Sequence, residues 1–185
     1  MAEKNLYVLA GYDDDTEARL SGIQNKLYEL GFSGDQTKNI PMHFTLGCFG
    51  TEREEELKER LSRLSKTVMQ FPVEFHHLGL FNLPGKDVLF VSPEVSDEML
   101  KLRDFFSDNK DEFPWEAHTT LLIDKPEVIS EAQEVVLREF QAFAGEVTTL
   151  HLYEFFPTRH ILSVNLSTVF ACKKDGVKHS FLDEY

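Results

Sequence analysis

Apolar residues along the chain recur now at a period near two and now near 3.6, switching several times, which predicts mixed strands and helices. Residues 6–12 read as a first strand. Asp13, Asp14, Asp15 and Thr16 then offer N-cap side chains for a helix striped by Leu20, Ile23, Leu27 and Leu30, and Gly31 and Gly34 end it. A polar loop over 33–39 leads to a strand over 42–49. Thr51 and Glu54 have the spacing of a capping box ahead of Leu57, Leu61, Leu64 and Val68, and Pro72 is expected to stop that helix. A strand over 73–81, a turn at 82–86 and a strand over 87–91 follow.

From there the order repeats. Ser96 caps a helix carrying Met99, Leu102 and Phe105 or Phe106, and a strand covers 116–123. Pro126 and Ser130 introduce a helix with Ile129, Ala132, Val136, Phe140 and Phe143 facing inward. Strands over 147–156 and 160–167 close the chain as a hairpin round Pro157, Thr158 and Arg159. Residues 1–82 and 87–156 thus each read strand, helix, strand, helix, strand. The expected fold class is α+β: one bilobal domain over 1–185, a pseudo-twofold duplication with antiparallel sheets, outer helices and a central cleft. A closing strand at 160–168 and a polar tail at 173–185 complete it.

One short pattern occurs in corresponding strands of the two halves. The first carries His43-Phe44-Thr45-Leu46 and the second His118-Thr119-Thr120-Leu121. Residues i and i+2 of a strand share a face, so His43 points with Thr45 and His118 with Thr120. Phe44, Leu46 and Cys48 are then expected on the opposite, packed face. If the halves meet about a pseudo-twofold axis, two imidazoles and two hydroxyls converge. Such a pair can accept a proton from water or a hydroxyl and return one to a departing alkoxide, because histidine titrates near neutrality. Hydroxyls can hold the non-bridging oxygens, and this chemistry needs no metal.

Composition narrows the substrate. Against 19 Lys plus Arg stand 32 Asp plus Glu, a net charge of −13, which argues against a broad grip on long nucleic acid or an anionic membrane. No apolar run is long enough to span a bilayer, and the N-terminus has no signal or transit pattern, so a cytoplasmic protein is expected. Cys48 and Cys172 match neither a disulfide framework nor a zinc spacing.

The paired His-x-Thr strands resemble the 2H phosphoesterase superfamily, in particular its bacterial 2′–5′ RNA ligase-like branch; the run from His43 to Phe49 and Gly50 is similar to that family's first signature. The resemblance spans roughly residues 4–168. It implies cleavage of 2′,3′-cyclic phosphates or 2′–5′ phosphodiester bonds, with ligation in the reverse direction in some members. It further implies His43 and His118 as the acid–base pair, in an order the pattern leaves open, and Thr45 and Thr120 as phosphate-binding hydroxyls. With so acidic a chain, the expected partner is a small nucleotide or short RNA end, bound by a monomer without cofactor or metal.

Arg159, in the last hairpin turn, is a candidate for an added phosphate contact, or an ordinary exposed turn residue. Trp115, near His118, either stacks on a base or anchors its loop. His76, His77, His151, His160 and His179 lack motif context and read as structural. The alternative to an enzyme is a non-catalytic nucleotide- or RNA-binding module that keeps the cleft.

Overall fold

The strands alternate with helices in the order β1 (Asn5–Tyr12), α1 (Asp14–Glu29), β2 (His43–Gly50), α2 (Glu54–Thr67), β3 (Phe71–Leu83), β4 (Lys86–Pro93), α3 (Asp97–Asp104), β5 (Thr119–Asp124), α4 (Pro126–Glu139), β6 (Phe143–Phe155) and β7 (Arg159–Asn165). This is a computed structural model, and it describes residues 4–34, 39–110 and 114–168. The expected polar tail, with Cys172 and His179, lies outside the described residues.

All seven strands join one sheet in the order β2-β1-β6-β3-β4-β5, with β7 also on β6, and every named strand pair is antiparallel. The third strand of each half pairs outside its own half: β3 with β4, and β6 with β1. The sheet bends so that its two terminal strands, β2 and β5, approach each other. These are the strands of the two His-x-Thr patterns.

Alternation decides what each strand buries. Leu6, Val8, Ala10 and Tyr12 of β1 enter the core, as do Phe44 and Leu46 of β2 and Leu89 and Val91 of β4. α1 starts on Asp13, whose Oδ1 accepts from Asp15 N and Thr16 N, and buries Leu20, Ile23 and Leu27. Leu30, expected on that stripe, is the C-cap and is exposed. Ser96 caps α3 through Met99 N as expected, and Phe106, not Phe105, is the buried ring. Pro126 sits in the first turn of α4, where its missing N–H costs nothing. Phe140 is the C-cap of that helix and Phe143 begins β6, so neither belongs to its stripe.

Two expectations at α2 are corrected. Thr51 makes no cap: residues Thr51–Arg53 form a 3₁₀ turn, and Glu54 binds Arg159 and Lys58 instead of returning to a capping N–H. Pro72 does not stop the helix, which ends at Thr67; it lies within β3, tolerated because β4 joins that strand only from Phe75.

Candidate active site

Each His-x-Thr-Leu run ends in the same irregularity. Leu9 pairs with Thr45 and Val8 with Gly47, so Leu46 is an extra residue; Phe90 pairs with Thr120 and Leu89 with Leu122, so Leu121 is its counterpart. The bulge corrects one expected orientation. Cys48 pairs with Tyr7, in step with Leu9 opposite Thr45, and so shares the face of His43 and Thr45; Phe49 takes the core position.

The two motif histidines are anchored alike. His43 Nδ1 lies 2.7 Å from the carbonyl of Pro41, and His118 Nδ1 lies 2.8 Å from that of Glu116, two residues back in each case. A carbonyl only accepts, so each Nδ1 carries a proton and each neutral ring keeps its lone pair on Nε2. Burial pushes the His43 ring down to about 4; the Pro41 carbonyl opposes the shift, and the nearby charge of His118 adds to it. His43 is therefore neutral at pH 7. His118 rests its ring edge on Phe81, with centroids 4.9 Å apart and planes at 84°, and lies beside Phe90 at 5.4 Å.

Three contacts tie the region of the second motif to the first half of the chain. Trp115 Nε1 donates to the Thr45 carbonyl at 2.7 Å, with its ring against Phe44. Tyr12 Oη and Thr119 Oγ1 share a buried hydrogen bond, and Gln24 Nε2 donates to the carbonyl of the bulged Leu121. Trp115 is thus the anchor of its loop. A cavity of about 200 Å³ is lined by His43 and Thr120 together, with Tyr7, Met42, Phe155 and Phe156. His118 lines a second, apolar opening with Leu80, Phe81, Leu83 and Pro114. The first half thus contributes His43, and the second Thr120, to one concavity.

Arg159 is not brought to this site. Its guanidinium binds Glu54 at 2.7 Å and Glu154 at 2.9 Å, and Glu154 alternates with Tyr153 and Phe155 on the opposite face of β6. His151, a histidine read as structural, lies on the face of β6 that continues the face of His43 and Thr45. His151 pairs with Leu9, the residue also paired with Thr45, and so belongs to the inward face. Its Nδ1 lies 2.7 Å from Ser163 Oγ, which lies 2.8 Å from His160 Nε2. Partial burial pushes His151 down to about 4, with His43 and His160 adding to the shift. Only the pairing of β1 with β6, distant in sequence, reveals this placement.

The described residues gather one set of potential metal ligands, Glu74, His76 and Glu94, all exposed, and it includes neither motif histidine. His76 Nε2 is already engaged by Glu74 at 2.7 Å. His77 pairs with Ser92. No described helix is long and apolar enough to cross a membrane.

The family model of the 2′-5′ RNA ligase superfamily matches residues 13–155. Solved structures with the same fold include Escherichia coli LigT complexed with 3′-AMP, 15% identical with a TM-score of 0.60, covering 89% of this chain and 99% of that one. TT0787 of Thermus thermophilus is 14% identical with a TM-score of 0.57, covering 89% and 98%. Escherichia coli LigT complexed with ATP is 17% identical, again at 0.57, covering 89% and 98%. No curated protein matches the chain.

Proposed function

Since the chain belongs to the 2′-5′ RNA ligase superfamily, of the 2H phosphoesterase type, we propose that it hydrolyses 2′,3′-cyclic phosphate or 2′–5′ phosphodiester linkages of a small nucleotide or short RNA end. The observation that carries this reading is the like anchoring of His43 and His118, each with Nδ1–H on a carbonyl and Nε2 left for chemistry.

In hydrolysis, His43 Nε2 takes a proton from the attacking water as oxygen bonds to phosphorus. The bond from phosphorus to the departing oxygen breaks, and Nε2–H of a protonated His118 delivers the proton that oxygen needs. His43 is assigned the base because its ring is neutral at pH 7. An imidazolium at His118 keeps Nδ1–H on Glu116 while carrying the transferable proton on Nε2. In ligation a 5′-hydroxyl takes the place of water: it gives its proton to His43 Nε2 as its oxygen bonds to the phosphorus of a 2′,3′-cyclic phosphate, the bond from phosphorus to O3′ breaks, and His118 Nε2–H protonates O3′. Thr45 and Thr120 hold non-bridging oxygens, and no step calls for a metal. The halves 1–82 and 87–156 are read as a duplicated unit whose third strands are exchanged, which brings one imidazole from each copy to one phosphorus. A monomer in the cytoplasm suffices for this activity.

Incubation with 2′,3′-cyclic AMP and with 2′–5′-linked dinucleotides in EDTA, followed by separation of products, tests the reading. Turnover is expected, with a loss of about 10²–10⁴-fold in each of His43→Ala and His118→Ala. No turnover of either substrate by folded protein, or full activity in either variant, rejects it.

A further inference from the structure

An anion between His43 and His118 meets no permanent cation on the β2-β1-β6-β7 face. Its inward positions hold His43, Thr45 and Cys48 on β2, Asn5, Tyr7, Leu9 and Gly11 on β1, Thr149, His151, Tyr153 and Phe155 on β6, and His160, Ser163 and Asn165 on β7. None of these is Lys or Arg, and Arg159 is held on the other face by two carboxylates. The donors that face supplies are hydroxyls and imidazoles.

We infer that His151 is a third imidazole contact of the site, donating Nε2–H to a non-bridging oxygen of the phosphate between His43 and His118. This rests on the phosphoesterase reading above. Two features place the ring for it. Gly11 lies between His43 and the β6 edge in register, and a Cβ built there would stand 2.5 Å from His151 Nε2. The absent side chain is what lets that nitrogen lie over β1 toward His43. Behind the ring, the Ser163 hydroxyl bridges His151 Nδ1 and His160 Nε2.

A hydroxyl donates one proton and accepts two, so Ser163 donates to one of the two rings at most. With His160 Nε2–H donating to Ser163 and Ser163 donating to His151 Nδ1, the proton of His151 sits on Nε2. That is the tautomer an anion requires. It also suits the neighbouring His43, whose neutral ring keeps Nε2 as an acceptor. In this polarity the two histidines of one face carry opposite tautomers, an acceptor at His43 and a donor at His151, while neither ring needs a charge.

Two-bond ¹H–¹⁵N spectra of the imidazoles of the whole chain read this directly, before and after titration with inorganic phosphate and, separately, 3′-AMP. The expected result is Nδ1–H at His43 and Nε2–H at His151, with the His151 Nε2 resonance moving on addition of either probe. In the turnover assay, His151→Leu is expected to raise KM at least tenfold, whereas His151→Gln, which keeps a donor, recovers most of that loss. Nδ1–H at His151, or a His151 resonance unmoved by both probes, overturns the inference. So does an unchanged KM in a His151→Leu variant that folds and retains dependence on His43 and His118. Phosphate binding at His151 in a protein that turns nothing over leaves this contact standing and rejects the phosphoesterase reading.

Discussion

Tyr12 Oη and Thr119 Oγ1 lie 2.5 Å apart in the interior, joining the last residue of β1 to the residue between His118 and Thr120. Thr119 is fully buried, and burial also pushes the Tyr12 phenol up, so both groups are neutral polar atoms with one another as partner. Tyr12→Phe strands the threonine hydroxyl and is expected to cost about 1–3 kcal/mol. Thr119→Val in the same chain should recover part of that, because no buried donor is then left alone. Urea denaturation of the two single variants and the double variant measures the coupling. Strictly additive losses would show that the bond does not hold the second motif in place.

Gly11 is required by close approach, not by backbone conformation, since its φ is not among the positive ones. In Gly11→Ala the new methyl meets His151 Nε2, so the ring must swing off β1 or lose its bond to Ser163. Turnover is expected to fall at least tenfold through KM, while thermal stability changes by a few degrees at most. A variant with wild-type KM would mean that the ring's position over β1 has no functional consequence.

The order of elements was legible because each is amphipathic at its own period, and the two motifs were legible because they recur in corresponding strands. Parity beyond Thr45 was not. Leu46, Gly47 and Cys48 are all apolar or small, so the local pattern reads the same with or without an extra residue, and only the register with β1 shows the bulge. The capping-box spacing at Thr51 was overridden by a long-range ion pair, Glu54 with Arg159 across 105 residues. That pair also holds Arg159 on the other face of β6, while pairing of β6 with β1 puts His151 on the face of His43. Exchange of third strands between halves is a tertiary choice that no window of sequence encodes. Groups presented by one strand are therefore legible in the chain, and those delivered by a neighbouring strand are not.

Arg159→Ala provides a control for the site's boundaries. Its guanidinium lies at the surface on Glu54 and Glu154, where solvent screens an ion pair and leaves it little weight in stability. The variant is expected to keep kcat/KM within about twofold and to lose at most a few degrees in Tm. A tenfold loss of kcat/KM, with the fold intact by circular dichroism, would put Arg159 back among the phosphate contacts.

Acid sensitivity should appear well above the carboxylate range. His43 and His151 are both held down to about 4, chiefly by burial, against about 6.5 in an unfolded chain. Between those values the unfolded chain binds protons that the folded one refuses. Their contribution to stability is thus complete above about pH 6.5, declines as pH falls, and has gone by about 4. The limiting slope is about 1.4 kcal/mol per pH unit for each ring. Asp13, Glu54 and Asp108, whose carboxyls hydrogen bonds and guanidinium or ammonium partners hold below their usual range, begin to add losses below about pH 5. Urea midpoints at pH 7.5, 6.5, 6.0 and 5.5 isolate the histidine window. A decline across it is expected in the wild type, and His151→Gln, lacking one of the two titrating rings, should show a shallower one. Equal slopes in both proteins would mean that His151 titrates normally and that its ring is open to water.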